Sequence, residues 1–387
     1  MSRAFLKSNR VRVLVNGIHA KSGGGVTYLR NILPLLARDD ALELHLFIHR
    51  DQFDRFGVID ERVRTHVLDY TNGFFSSLLW EQVALPILAR VMSADVTLSP
   101  ANYGPLFAPR RIIILRNSLA VVGKETRLVR RFYWVGLALM TAISLLTCTK
   151  AIAVSDYARQ ALTFGFRRWR EHISVVHHGV NTAYSPGAFE DREDFLLAVS
   201  DIYIQKNLHT LIQAVARIRE RRPGIRLKII GRAIDDGYKQ ELAQRIDDLG
   251  VGDAIEFLGE RSTKELLSHY RRCRMFVFPS TVETFGNPLV EAMACGAPMA
   301  VSNTAAMPEI VGDAAVWFSP LDPDDMAEKI LSVLDDEARL RELSDKALAR
   351  STRFSWEETA AKTAAIIKDV ARGGARRIPS LEPQVAP

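Results

Sequence analysis

Apolar and polar positions follow two periods along this chain. Short apolar runs read as strands: Val11-Arg12-Val13-Leu14-Val15, then residues 43–48, 95–98, 111–115, 150–154 and 173–176. Helical spacing fills several of the gaps, first over 26–37, behind the glycine-rich Ser22-Gly23-Gly24-Gly25. The pattern restarts at Phe195-Leu196-Leu197-Ala198-Val199, after which Leu208, Leu211, Ile212, Val215 and Ile218 recur at helical spacing. Further strands are expected at 225–230, 254–257, 275–278 and 298–301. Strand–helix alternation of this kind predicts an α/β protein with parallel sheets covered by helices on both faces.

Between the two runs of the pattern, residues 178–187 are polar and rich in turn formers, which predicts a hinge at 179–192. The remaining boundaries follow: an amino-terminal domain over 1–178, a carboxyl-terminal domain over 193–354 and a terminal helix over 355–372. Ser355 is its expected N-cap, with Glu358 three residues on, and Gly373-Gly374 ends it. Residues 373–387 read as a disordered tail.

Composition sharpens this picture in three places. The chain has 387 residues, 25% charged and 48% apolar, which fits two globular domains and excludes a disordered chain, a fibre or a small disulfide scaffold. The net charge is only +6, but residues 1–180 carry 24 basic against 13 acidic side chains while the rest carry 27 against 32, so the halves are suited to different partners. Cys148, Cys273 and Cys295 are far apart, without a C-x-x-C pair, which fits a reducing compartment. The first residues lack an apolar signal core, so a cytoplasmic location is expected. Residues 132–149 carry no formal charge, but Thr141, Ser144, Thr147 and Thr149 dilute them and a strand follows directly. A core helix is expected there rather than a membrane span.

The segment Pro279 to Pro298 holds the most chemistry. It leaves an apolar strand through a loop containing Glu283 and Gly286, then enters a short helix with Pro288 in its first turn and Glu291 one turn in. Ligands of open α/β sheets bind at the carboxyl ends of strands, and a helix start favours an anion such as a diphosphate. A carboxylate can accept two neighbouring sugar hydroxyls. On spacing alone, the pair reads equally well as two solvated helix-start glutamates.

Glu283 and Glu291 form the E-x7-E pattern, and here the chain resembles the retaining GT-B glycosyltransferases usually called family 4. The likeness continues through Leu227-Lys228-Ile229-Ile230-Gly231, Ile255–Gly259, Met307-Pro308-Glu309-Ile310, Asp313-Ala314-Ala315 and Phe354-Ser355-Trp356. Val175-Val176-His177-His178-Gly179-Val180-Asn181 is similar to the family's interdomain turn. The resemblance implies two Rossmann-like domains with parallel sheets facing across a cleft, the terminal helix crossing back to the first.

It also implies roles. Glu291 binds the donor's ribose, Glu283 contacts the transferred sugar, and the backbone of Phe285, Gly286, Asn287, Pro288 and Leu289 cradles sugar and diphosphate. Lys206 matches the basic residue for the leaving phosphate, and Gly24 and Gly25 the glycine loop of the other domain. A lysine and oriented N–H groups stabilise a departing diphosphate without a metal, so no metal or other cofactor is expected. The family's arginine about six residues before the lysine is replaced by Ser200-Asp201, with Arg232 as a candidate substitute. Arg116 and Asn117 stand where relatives carry His-Asp, as acceptor-side candidates. Neither is a good general base, so the acceptor proton passes to the leaving phosphate, the front-face route proposed for the family.

The implied reaction is retaining transfer of a hexose or deoxyhexose, mannosyl-like, from a nucleotide sugar to a glycan or lipid-linked acceptor in surface polysaccharide or glycolipid synthesis. An epimerase on the same fold and a non-catalytic nucleotide-sugar binder are the alternatives. Asp322-Pro323-Asp324 copies a metal-binding D-x-D but precedes a helix, where capping is expected. Arg110, Arg111, Arg116, Lys124, Arg127, Arg130 and Arg131, beside Phe132-Tyr133-Trp134, read equally as a solvated face or as a surface for anionic lipid at the inner face of a membrane. No nucleic-acid motif accompanies them.

Overall fold

A computed structural model describes residues 10–373, except 22, 58, 72, 118–127, 164–168 and 170–171. The expected tail beyond 373, and Lys124 and Arg127 of the basic run, lie outside the described residues; so do the side chains of residues 128–133. The chain divides into two compact units, Met1–His178 with Trp356–Pro387, and Gly179–Ser355.

In the first unit, β1 (Val11–Asn16), β2 (Leu42–His49), β3 (Val63–Leu68), β4 (Val96–Ser99), β5 (Arg111–Leu115), β6 (Lys150–Ala153) and β7 (Ile173–Val175) form one sheet. Their order is β3-β2-β1-β4-β5-β6-β7, all parallel, with Val13 opposite Val96 and Val15 opposite Leu98. The apolar run of β1 is covered on both faces, as parallel strands require: Val13, Leu14 and Val15 have no exposed surface. Helix Trp356–Ala371 belongs to this unit and packs on helix Gly24–Leu36; its Thr359 hydroxyl donates to the His177 carbonyl at 2.7 Å.

The second unit repeats the plan with β8 (Glu193–Val199), β9 (Arg226–Ile230), β10 (Ile255–Gly259), β11 (Cys273–Phe278), β12 (Met299–Ser302) and β13 (Val316–Phe318). The order is β10-β9-β8-β11-β12-β13, again parallel. Its core joins Leu196 and Met275 of the sheet to Leu211, Val215 and Ile218 of helix Leu208–Arg221 and to Met326 and Ile330 of helix Pro323–Leu334. Residues 179–192, expected as a hinge, group with this unit, and Arg271 donates to both the carbonyl and hydroxyl of Ser185 at 2.7 Å.

Two details refine the expectations. Edge strands β3 and β13 were not anticipated, because Val-Arg-Thr-His-Val-Leu mixes polar residues into the run and β13 spans three residues. Asp322 is a helix cap: its carboxylate accepts the N–H groups of Asp324 and Asp325 at 3.0 and 3.1 Å, while Asp324 pairs with Arg217. Among the described residues, no helix is long and apolar enough to cross a membrane.

Both sheets change direction of strand addition once, between β1 and β4 and between β8 and β11. Loops leaving the carboxyl ends of such neighbours diverge to opposite faces and open a crevice, the usual ligand position of this sheet type.

Candidate active site

In the second unit the crevice lies between the loops that follow β8 and β11, neighbours paired through Leu196 with Met275 and Leu197 with Phe276. After β8 the chain makes a short 3-10 turn, Ile204–Lys206, and enters helix Leu208–Arg221 through Asn207 at φ 57°. Asparagine tolerates that left-handed conformation. Its buried amide donates to the carbonyls of Pro279 (2.9 Å) and Pro320 (2.5 Å), and its oxygen accepts the Thr210 hydroxyl at 2.7 Å. The Thr281 N–H donates to the Gln205 carbonyl at 2.9 Å, so the loops after β8 and β11 are fastened to each other.

This fastening brings Lys206 and Glu283 together. The Lys206 ammonium touches Glu283 Oε1, with side chains only 12% and 15% exposed. Nζ also stands 5.3 Å from the Tyr203 ring centre and 5.9 Å from that of Phe278. Burial works against the ammonium, but Glu283 and Tyr203 outweigh it and hold the Lys206 pKa above its ordinary value. The lysine is therefore a fixed cation wherever the protein is folded near neutrality.

The loop continues into helix Asn287–Ala294 through Gly286 at φ 87°, where a Cβ would also come within 2.8 Å of Leu289. Phe285 and Leu289 turn their side chains inward, Phe285 edge-on to Phe354 at 5.7 Å between ring centres. Asn287 and Pro288 occupy the first turn and stay partly exposed. What this turn offers a ligand is backbone, not large side chains.

Glu291, one turn further, has a different setting. The Tyr270 hydroxyl donates to its Oε2 at 3.0 Å and the Tyr184 hydroxyl donates as well; the two rings meet edge-on at 5.9 Å. Although the residue keeps some solvent access, its carboxyl group is enclosed, and burial pushes its pKa up to about 7 against the lowering effect of both hydroxyls. Sequence reasoning misses Tyr184, Tyr270 and Asn207. Only Asn207, a turn-forming residue directly between Lys206 and an apolar helix, carries a local signal.

Arg232 follows Gly231, whose missing Cβ lets the strand end press on Ser200: an added Cβ would sit 1.9 Å from the Ser200 carbonyl oxygen. The guanidinium pairs with Asp201 at 3.3 Å and lies 3.9 Å from Glu260, and Asp201 holds its pKa up. Arg232 thus belongs to the β9 end of the edge, engaged with the residue that stands where the family arginine is expected.

In the first unit, Gly24 and Gly25 open helix Gly24–Leu36. A Cβ on Gly25 would fall 2.8 Å from both terminal nitrogens of Arg116, so the guanidinium lies directly on this glycine. Burial lowers the Arg116 pKa to about 10, partly countered by neighbouring Tyr28. The backbone N–H groups of Arg116 and Asn117 donate to Asn102 Oδ1 at 2.9 and 3.0 Å, and the Asn102 amide returns a bond to the Asn117 carbonyl at 2.7 Å. Among the described residues, no three or more His, Cys, Asp or Glu side chains are grouped to hold a metal ion.

The model of the family described as glycosyl transferases group 1 matches residues 184–350, a span that holds Lys206, Glu283 and Glu291 with their partners. That segment is similar to the glycosyl transferases group 1 family.

Relatives agree at lower resolution. The chain is 28% identical over 267 residues to the serotype-specific mannosyltransferase WbdA of Escherichia coli, covering 65% of this chain and 32% of that protein. It is 30% identical over 251 residues to the MMP alpha-(1->4)-mannosyltransferase of Mycolicibacterium hassiacum, covering 63% and 60%. The chain therefore spans about a third of the one relative and three fifths of the other. Anabaena Alr3699/HepE in complex with UDP and glucose is similar in structure, with a TM-score of 0.75 at 18% identity over 93% of this chain and 100% of that one. At this identity the likeness is one of fold, the two-sheet GT-B architecture.

Proposed function

We propose that this chain is a retaining glycosyltransferase that moves a mannosyl-like hexose from a nucleoside-diphosphate sugar to a glycan or lipid-linked acceptor in surface polysaccharide or glycolipid synthesis. The observation that carries the proposal is the Lys206–Glu283 pair at the β8/β11 crevice, with Glu291 on the helix that leaves it. The names of the mannosyltransferase relatives and the UDP and glucose of the structural neighbour support donor class and sugar.

The pair suggests how the site works. Without substrate, each partner neutralises the other. An arriving diphosphate brings more negative charge than one carboxylate, so Lys206 shifts its hydrogen bond to the phosphate and frees Glu283 to accept hydroxyls of the sugar. As the anomeric C–O bond breaks, the electron pair and the growing negative charge stay with the diphosphate, where Lys206 and the first-turn N–H groups meet them. The acceptor oxygen forms the new bond from the same face, and its proton goes to the departing phosphate. No metal or other cofactor takes part in this scheme.

Peripheral contact with an anionic membrane is part of the same reading. Phe75, Leu79, Val83, Ile87 and Val91 recur every four residues along Phe74–Val91 and are all exposed, an apolar row suited to the lipid interface. Co-sedimentation with vesicles containing phosphatidylglycerol, against pure phosphatidylcholine, tests it.

The deciding experiment is a panel of GDP- and UDP-sugars with membrane lipid and glycan acceptors, read as nucleotide release, with Glu283→Ala as control. Acceptor-dependent release lost in the variant supports transfer. Turnover of donor without acceptor indicates an epimerase, and donor binding without release a non-catalytic binder.

A further inference from the structure

The first sheet has its own reversal of strand order, between β1 and β4, and an ionisable pair lies near the strand ends there too. Glu81 has no exposed surface. It sits in Trp80–Ala84, a π-helical turn set between helices Phe74–Leu79 and Leu85–Val91, and such turns frequently mark functional positions. Its Oε1 accepts the Asn16 amide at 2.7 Å and its Oε2 the Gln82 amide at 3.2 Å. His19 Nε2 lies 3.1 Å from the same Oε2, though out of line for a regular hydrogen bond. Asn16 ends β1 and also reaches Ser99, the last residue of β4, at 3.4 Å.

The loop bearing His19 is pinned. The buried Gln52 amide donates to the carbonyls of Gly17 and Ala20 at 3.0 and 2.9 Å, and a Cβ on Gly17 would strike Ile48 and the Phe47 carbonyl at 2.8 and 2.9 Å. From β4, the chain folds back so tightly that a Cβ on Gly104 would lie 2.4 Å from Ser99 Oγ. That fold sets Tyr103 beside His19, with ring centres 4.9 Å apart and its hydroxyl 3.4 Å from Nδ1. The result is a graded series: Glu81 sealed, His19 23% exposed, Tyr103 at the partly open end.

A sealed carboxylate costs several kcal/mol to desolvate and an apolar side chain of its size would hold the core as well, so core packing does not explain it. Its chemistry does explain an oriented imidazole. In the tautomer that carries the ring proton on Nε2, 3.1 Å from Glu81, Nδ1 is an acceptor, and its 3.4 Å contact with Tyr103 is long enough for another hydroxyl to replace. Asn102 joins this series to the expected acceptor-side residues, since it precedes Tyr103 and binds the N–H groups of Arg116 and Asn117.

We propose that His19, oriented by Glu81 and flanked by Tyr103, binds a hydroxyl of the acceptor sugar in the first unit. The assignment rests on the glycosyl-transfer reading. His19 Nδ1 accepts the hydroxyl proton in a hydrogen bond, Tyr103 donates to the same or a neighbouring oxygen, and Glu81 is a positioning residue.

The test uses the full chain with the donor and acceptor pair that turns over in the panel above. His19→Ala raises the KM for acceptor about tenfold or more and leaves the KM for donor within about twofold; Tyr103→Phe raises the acceptor KM a few-fold. Glu81→Gln follows His19→Ala in the same split, and should it not fold, the partly exposed His19 carries the test alone. Donor-induced thermal shifts identify variants whose fold is intact. An unchanged acceptor KM in His19→Ala, or a parallel rise in both KM values, overturns the assignment. If the wild-type chain turns over no pair at all, the transfer reading itself fails, and this inference fails with it.

Discussion

Glu283 and Glu291 lie on one short stretch of chain, yet they are chemically opposite. Glu283 leaves the end of β11 and meets a fixed cation, Lys206, so its charge is matched before any substrate arrives. Glu291 projects from the helix into two tyrosine hydroxyls, and burial moves its pKa to about 7. The first setting suits charge exchange with a diphosphate. The second suits a neutral, hydroxyl-rich group, and near neutrality its carboxyl is poised between two protonation states. One residue type thus serves two tasks because the fold supplies different neighbours.

The largest test of the contrast removes its cation. Lys206→Ala lowers acceptor-dependent turnover about 10²- to 10³-fold, of order 2–4 kcal/mol, at saturating donor. A loss smaller than about fivefold in steady-state rates separates Lys206 from the chemistry.

Glu283→Gln comes next, with turnover down about 10- to 100-fold, the range for a charge-assisted hydrogen bond. Because Lys206 is then released from its partner, calorimetry shows free nucleoside diphosphate binding as tightly as before or more so. Weaker binding would mean that Glu283 shapes the phosphate site and does not merely occupy its lysine.

Glu291 gives a pH signature. The unfolded chain releases this proton near pH 4.5 and the native state keeps it to about pH 7, so between these values the folded protein binds more protons. Stability therefore falls as pH rises through that window, by about 3 kcal/mol, and Glu291→Gln abolishes this share of the slope. Urea unfolding of both proteins at about pH 5 and pH 8 measures it, and identical slopes refute it. The smallest effect belongs to Tyr184→Phe. Loss of one donated hydroxyl raises the Glu291 pKa further, shifting the midpoint of the same transition upward by about half a unit, or under 1 kcal/mol.

How much of this was legible beforehand differs by element. The central strands were, because a parallel strand buried on both faces is an uninterrupted apolar run, as in Phe195–Val199 and Met275–Phe278. Val63–Leu68 and Val316–Phe318 were not, since the first mixes Arg64, Thr65 and His66 into its run and the second is only three residues long. Asp322 read correctly as a cap because capping is decided within three residues. Arg232 shows the opposite case: its proximity to Asp201 depends on Gly231 letting two strand ends touch, which no local pattern announces.

By itself the sequence determined the repeating strand–helix plan, the glycine at the head of helix Asn287–Ala294 and the spacing of Glu283 and Glu291, because each is a matter of neighbours in the chain. Partners across the chain were decided by tertiary structure alone. Lys206 meets Glu283 from 77 positions away, Glu291 finds Tyr270 at 21, and Glu81 turns inward beside His19. The reason is physical: local periodicity records which face of an element is buried, whereas the ionisation and orientation of a side chain depend on whichever groups the folded sheet brings to its end.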